Sequence, residues 1–264
     1  DLCASRGLGD VYKRQGASLE ALVHAALVGA CRCIDPHRHQ PCSVETLMGA
    51  IGLQRRLQGQ QPRRCVAFGF TPWKRRSLRR FLAGSQLRFR APWRRIPQGV
   101  DGVVVWGRRA KPRLLAAAAR RQLPVLQVED GFLRSVGLGA DLVDPVSWVV
   151  DHQGVYYDAT RPSDLETRLA TGQWTEAQRQ RAAALRQRLV EEAITKYNLQ
   201  AEPWRRPAGR DRVVLVIGQV ESDASIRYGA PGLRSNRALL AAVRAAEVAA
   251  EVAALAALAA ENLA

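Results

Sequence analysis

Residues 103–128 read VVVWGRRAKPRLLAAAARRQLPVLQV, and their pattern decides the fold class. Two short apolar runs, Val103–Trp106 and Val125–Val128, flank a helical pattern at Leu114–Arg121. Runs of this length, rich in β-branched residues and bounded by Gly or Pro, suit strands covered on both faces. Upstream, Val66–Phe70 is a third such run, followed by a helical pattern at Lys74–Leu82. Strand–helix–strand alternation predicts an α/β domain with a Rossmann-like parallel sheet. Downstream, Ser147–Val150 and Val155–Tyr157 flank Asp151-His152-Gln153-Gly154, a hairpin signal. Asp164–Ala170 and Thr175–Ile194 read as helices, and Arg212–Ile217 as a further buried strand opening into a polar loop at 218–235. Asn236–Ala264 reads as a long Ala-rich helix.

Before the α/β pattern lie two helical stretches, Ala17–Cys31 and Val44–Leu57, and a polar linker at Gln58–Arg64 that contains Pro62. Residues 1–15 carry no amphipathic period and are expected to be a non-native leader. The expected organisation is therefore a leader (1–15), a short helical segment (16–61), a Rossmann-like lobe (62–246) and an Ala-rich terminal helix (247–264).

The net charge of +16 sits in one window. Residues 62–121 hold 17 basic groups and a single acidic one, Asp101, while the flanking regions nearly balance. A uniformly basic protein is excluded, and the window implies an anionic partner or a heavily solvated face. No apolar run reaches the ~18–20 residues of a membrane span, and no secretory signal opens the chain. Five cysteines crowded into the first quarter argue against a disulfide framework and for a reducing compartment, cytoplasmic by default.

Several constellations carry possible chemistry. Cys31, Cys33, Cys42, His37 and His39 are metal-ligating types, but C-x-C followed by H-x-H lacks zinc-site spacing, so no metal is expected. Pro72–Ala83 places Trp73, Leu78, Phe81 and Leu82 on one side of a helix, with Lys74, Arg75, Arg76, Arg79 and Arg80 around much of the rest. Such a helix suits an anionic membrane surface, or equally a sheet-covering helix with a solvated face. Arg88, Arg90, Arg94 and Arg95 extend the field, with Phe89 and Trp93 between them, and no nucleic-acid motif accompanies it. Glu129-Asp130-Gly131, with Arg134 beyond it, follows a predicted strand, the position where ligand sites form in parallel sheets. Paired carboxylates there suit proton transfer, though acid–Gly pairs also form turns. Gln219, Glu221, Asp223 and Ser225 form a second carboxylate loop, in which Asp223 and Ser225 would equally serve as N-caps. Gly102–Gly107 is no dinucleotide fingerprint, and no cofactor is expected.

Five stretches, in order, resemble the capsular polysaccharide β-Kdo transferases of the KpsC type. They are VWGRR (104–108), VEDGFLRSVGLGADL (128–142), DHQGVYYDATRPSDLE (151–166), TKYN (195–198) and GQVESDASIRYGAPGLRSN (218–236), spanning roughly Val66–Arg244. Residues 32–56 resemble the tail that closes the first of the family's two tandem modules. The resemblance implies the first lobe of a two-lobed, GT-B-like glycosyltransferase. It implies transfer of Kdo, an eight-carbon acidic sugar, from CMP-Kdo with retention, onto a lysophosphatidylglycerol-linked Kdo acceptor at the anionic inner face of the cytoplasmic membrane. It also implies Asp223 as nucleophile and Glu129 as acid/base, with Asp130, Arg134, Lys196, Asn198, Gln219, Glu221, Ser225 and Arg227 binding substrate. Trp73, Lys74, Arg75, Arg76, Arg79 and Arg80 are the expected membrane face. The sequence departs from the family's pattern at Ser222, and after Arg244 it runs AAEVAAEVAALAALAAENLA where a second lobe would begin, so an incomplete, inactive module is expected. The rival reading is a basic, non-catalytic module that binds anionic lipid or nucleic acid.

Overall fold

The computed structural model describes residues 18–200, 205–209, 212–230 and 232–261, with side chains up to residue 250. The expected leader at 1–15 lies outside these residues. The chain divides into two units, residues 1–61 and 62–264. In the first, Ser18 caps a short helix, α1 (Leu19–Val23), which continues as one π-helical stretch, His24–Gly29, rather than one α-helix to Cys31. A two-residue antiparallel ladder, β1 (Cys33–Ile34) and β2 (Pro41–Cys42), precedes α2 (Val44–Gly59), which is capped by Ser43.

The second unit is built on a five-stranded sheet: β3 (Arg64–Phe68), β4 (Gln86–Arg90), β5 (Gly102–Trp106), β6 (Val125–Asp130) and β7 (Trp148–Asp151), in spatial order β4-β3-β5-β6-β7. The first four strands run parallel and β7 pairs antiparallel to β6. The predicted parallel α/β class is what is found.

Alternation along each strand sorts two cores. Cys65, Ala67, Val104, Trp106, Leu126 and Val128 face one side, where α3 (Pro72–Phe81) and the residue after it bring Leu78 and Leu82. Val66, Phe68, Val103 and Val105 face the other, where α4 (Pro112–Arg120) brings Leu114 and Ala118. The chain leaves β3 toward β4 on one side and reaches β5 on the other, so the two crossover helices cover opposite faces. Between β3 and β5 the order reverses, and the crevice at the carboxyl ends of such strands is where open α/β sheets bind ligands.

Four expectations are corrected. Val155–Tyr157 forms no strand, because β7 spends its hydrogen bonds on β6 and Asp151 turns the chain. The Asp151 carboxylate accepts from the N–H groups of Gln153, Gly154 and Asp164. Arg212–Ile217 is neither paired nor buried: Leu215 is 80% and Ile217 78% exposed. No neighbouring strand among the described residues takes its backbone groups. The thirdly corrected element is β4, whose arginines were read only as charge; Leu87 and Phe89 pack inward and Arg88 and Arg90 point out. The fourth is a short helix inside the predicted polar loop, α7 (Ala224–Gly229). It follows α5 (Asp164–Thr171) and α6 (Glu176–Glu191) and precedes α8 (Asn236–Glu261).

Candidate functional site

A cleft of about 1140 Å³ opens at the carboxyl edge of the sheet. Its floor is the end of β5, Trp106-Gly107-Arg108-Arg109, beside the end of β6, Glu129-Asp130. The first turn of α3 adds Trp73 and Lys74, the 196–197 segment adds Lys196 and Tyr197, and the start of α7 adds Asp223, Ser225 and Arg227.

Glu129 is held by two hydrogen bonds. Its Oε1 accepts the Asp130 N–H at 3.0 Å, and its Oε2 accepts the Tyr157 hydroxyl at 3.3 Å. Gly107, at φ +47°, lets Glu129 come this close: a Cβ there would stand 2.7 Å from both Glu129 Oε2 and the Tyr157 oxygen. Burial pushes the Glu129 carboxyl above its usual range, with the neighbouring Asp130 charge adding to it, while Lys74 and two hydrogen bonds oppose the shift. A carboxyl with its hold on a proton raised in this way is fitted to give and take protons.

Asp223 reaches the cleft differently. It is the N-cap of α7, where Oδ1 accepts the Ser225 N–H at 2.8 Å, and it is exposed. Both the capping role and the placement in the cleft therefore hold together. Tyr156 links the two carboxylates electrostatically: burial first, then Glu129, Asp130, Tyr197 and Asp223, push its phenol upward. Its hydroxyl donates to the Asp130 carbonyl at 3.1 Å.

The other expected site residues divide. Asp130, Lys196, Gln219, Ser225 and Arg227 line the cleft, and Gln219 Nε2 donates to Ser225 Oγ at 3.2 Å. Arg134 lines it too, but fully buried: Nη1 donates to Ser135 Oγ and Nε stands 3.0 Å from Asp130 Oδ2, paired by charge rather than by an aligned hydrogen bond. Arg134 Nη2 and Asp130 Oδ1 are buried without a hydrogen-bond partner among the described residues.

Two candidates lie outside the cleft. Glu221 Oε1 accepts the Asn236 N–H at 2.8 Å and so caps α8. Asn198 is a brace: Oδ1 accepts the Thr195 N–H and Nδ2 donates to the Ser135 carbonyl, fixing the 195–198 turn to the loop after β6.

The expected membrane helix is also redistributed. Trp73 and Lys74 face the cleft, and Lys74 Nζ sits 3.1 Å from the centroid of the Trp106 ring. Arg75 and Arg79 lie over Phe89, and Arg80 stands 3.7 Å from Asp144. Arg76 is exposed.

Sequence reasoning missed Gly107, Arg108, Arg109, Tyr156, Tyr157 and Tyr228. Arg108 is paired to the buried Asp158, and its guanidinium lies 4.4 Å over the Tyr228 ring, tying the β5 loop to α7. The signal was present, since a Gly and two Arg directly follow a buried strand and Tyr156-Tyr157 follow the Asp151 turn. Among the described residues no group of three or more His, Cys, Asp or Glu is arranged to hold a metal ion.

Comparison with known proteins gives this cleft a context. Residues 101–202 match the family described as "Capsule polysaccharide biosynthesis protein", a span that includes Glu129 and ends before Asp223. The chain is 32% identical over 243 residues to "Capsule polysaccharide modification protein LipA" of Neisseria meningitidis serogroup B, which covers 90% of this chain and 34% of that protein. It is 36% identical over 190 residues to "Lipopolysaccharide-processing protein LpsZ" of Rhizobium meliloti, covering 67% and 43%. The chain thus spans between a third and a half of these relatives' lengths. Two solved structures are similar: Thermosulfurimonas dismutans KpsC β-Kdo 2,7 transferase (29% identity, 68% of this chain, 56% of that one, TM-score 0.49) and the β-Kdo 2,4 transferase of the same organism (32%, 61%, 51%, 0.47).

Proposed function

We propose that the cleft belongs to a retaining glycosyltransferase; the match of residues 101–202 to the capsule polysaccharide biosynthesis family and the 32% identity to LipA support this reading. The reaction moves Kdo from CMP-Kdo to a lipid-linked Kdo acceptor at the inner face of the cytoplasmic membrane. The observation that carries the reading is the meeting of two unlike carboxylates in one cleft: Glu129 half-buried with its hold on a proton raised, Asp223 exposed at a helix cap.

Retention needs two displacements. In the first, Asp223 attacks the anomeric carbon, the bond to the CMP phosphate oxygen breaks as Glu129 gives its proton to that oxygen, and a glycosyl ester forms. In the second, the acceptor hydroxyl attacks that carbon, its proton passes to Glu129, and the Asp223 carboxylate is released. The Ser225 N–H holds one Asp223 oxygen, which orients the other for attack. Lys196, Arg109 and Arg227 supply cations for an acidic sugar and a phosphate. Tyr156, Tyr157 and Tyr197 supply flat faces for a sugar ring. Arg134 acts through Asp130 and the loop it braces.

Kdo transfer by a protein carrying this sequence, followed by mass spectrometry of a trapped adduct, is the test. The peptide containing Asp223 should gain the mass of one Kdo residue. An adduct mapped to Glu221, or full turnover by Asp223→Asn, overturns the assignment.

A further inference from the structure

The first turn of α3 holds Trp73, Lys74, Arg75 and Arg76 and no acidic residue, although the amino end of a helix favours carboxylates. Local violations of this kind concentrate at functional positions. The choice of cation is equally unusual. The sequence has 36 arginines and only four lysines, Lys13, Lys74, Lys111 and Lys196, and two of the four line the cleft. Arginine keeps its charge at any physiological pH, whereas a lysine in a partly buried site can lose it.

The surroundings of Lys74 fit a titrating group. Its ammonium rests on the Trp106 face, 3.1 Å from the ring centroid. Glu129 and Asp130 act on it from the end of β6, Arg109 from the loop after β5, and Arg134 from the loop after β6. Glu129 in turn is faced by Asp130, Lys74 and the Tyr157 hydroxyl, and through Tyr156 the cleft extends to Tyr197 and Asp223. Arg108, Lys196 and Arg227 are the remaining cations in the lining.

We infer that Lys74 is a positioning residue for Glu129: its ammonium, seated on Trp106, governs the ionisation of that carboxyl from across the cleft. The inference rests on the reading of Glu129 as the proton carrier and names what controls it. While Lys74 is charged, it stabilises the Glu129 carboxylate. Once Lys74 loses its proton, the attraction is gone and Glu129 holds its own proton more tightly. Burial brings the Lys74 ammonium down to about 8, against the pull of Asp130 and Glu129, so the charge that acts on Glu129 is itself lost just above neutral pH.

Infrared titration of the folded chain tests this without any sugar transfer, so it fails or succeeds independently of the proposed reaction. The protonated-carboxyl band of Glu129 is assigned by its loss in Glu129→Gln. In Lys74→Met its midpoint should rise by about one pH unit or more, the usual effect of losing a close opposite charge. In Lys74→Arg it should stay near the wild-type value. Trp106 fluorescence, assigned by difference from Trp106→Phe, should step near pH 8 in the wild type, and Lys74→Arg should abolish that step. A Glu129 midpoint unmoved in Lys74→Met overturns the inference. So does a fluorescence step that survives in Lys74→Arg, which decides the matter even if Lys74→Met fails to fold.

Discussion

Glu129 and Asp223 reach the same cleft from opposite kinds of structure. Glu129 ends a strand paired on both sides, and its oxygens are engaged by Asp130 and Tyr157. Asp223 begins a six-residue helix, exposed, with one oxygen turned to its own backbone. The first setting draws a carboxyl partly out of water and strengthens its hold on a proton; the second leaves a carboxylate in solvent with one oxygen on a backbone N–H. Two carboxyl groups in one cleft thus sit in unlike environments, the arrangement the proposed two-step displacement calls for.

The largest effects should come from erasing that difference. Asp223→Asn keeps the shape and should lower Kdo transfer by on the order of 10⁴ or more, with the thermal melt almost unchanged because Asn also caps helices. Glu129→Gln should lower transfer by about 10²–10⁴-fold. Steady-state kinetics of the two variants, with circular dichroism as a folding control, separates them. Equal losses in both, each accompanied by unfolding, would mean the cleft is scaffold rather than chemistry.

A second contrast lies between two apolar runs that read alike. Val125–Asp130 lies in the sheet, whereas Arg212–Ile217 forms no regular structure and is largely exposed. Composition nominated both, but a strand is made by the neighbours that accept its hydrogen bonds, and no single run reveals those. The parallel sheet was legible because three runs recur around helices at βαβ spacing. For the same reason Glu129 and Asp130 were placed at a strand end, although they are the last two residues of β6 rather than a loop after it. Asp223 was assigned by resemblance and by an expected strand before it; the strand is not there, and the helix cap, weighed as the plainer reading, is. Lys74 was misplaced because a helical wheel gives a direction around the axis but not what stands opposite. β4 was missed because alternating arginines resemble a charge run, although cations on an edge strand also guard it against pairing with another chain. Truncations separate the two runs: Leu126→Ala should cost about 2–5 kcal/mol, while Leu215→Ala should stay within about 0.5 kcal/mol. Urea denaturation measures both, and a cost at Leu215 comparable to that at Leu126 would show that the segment is packed.

Between these extremes stands the glycine that lets Glu129 sit where it does. Gly107→Ala puts a methyl 2.7 Å from Glu129 Oε2 and the Tyr157 oxygen at a φ of +47°. The variant should lose about 1–3 kcal/mol of stability as the two groups are pushed apart. It should also shift the Glu129 titration, because the Tyr157 hydrogen bond favours the carboxylate. Breaking that bond raises the folded-state value further, so the native state binds its proton over a wider range above the ordinary Glu value of 4.5. Stability contributed by neutral Glu129 is present at low pH and falls as pH rises through that value. Gly107→Ala should therefore lose more stability at pH 7 than at pH 4, and a loss independent of pH would mean that the Tyr157–Glu129 hydrogen bond survives the added methyl.

The smallest effects concern the basic window, where the comparison is between α3 and the edge of the sheet. On α3, Lys74 is turned into the cleft, Arg75 and Arg79 lie on Phe89, and Arg80 has Asp144 within 3.7 Å. On the edge, Arg88 and Arg90 project from β4, and Arg94 and Arg95 are exposed beside Trp93, itself 75% exposed. A cation already engaged within the protein has less to gain from a lipid headgroup than one standing in water. If the protein binds anionic vesicles, the edge should carry the binding: each arginine there contributes roughly 1 kcal/mol, weakened by salt. Replacing Arg94 and Arg95 by Gln should then cost up to about tenfold each in partition coefficient, and replacing Arg75 and Arg79 distinctly less. Co-sedimentation with anionic and neutral vesicles at two salt concentrations measures this. Equal losses from the two pairs would return α3 to the membrane face, and equal binding to both lipids would remove electrostatic attachment altogether.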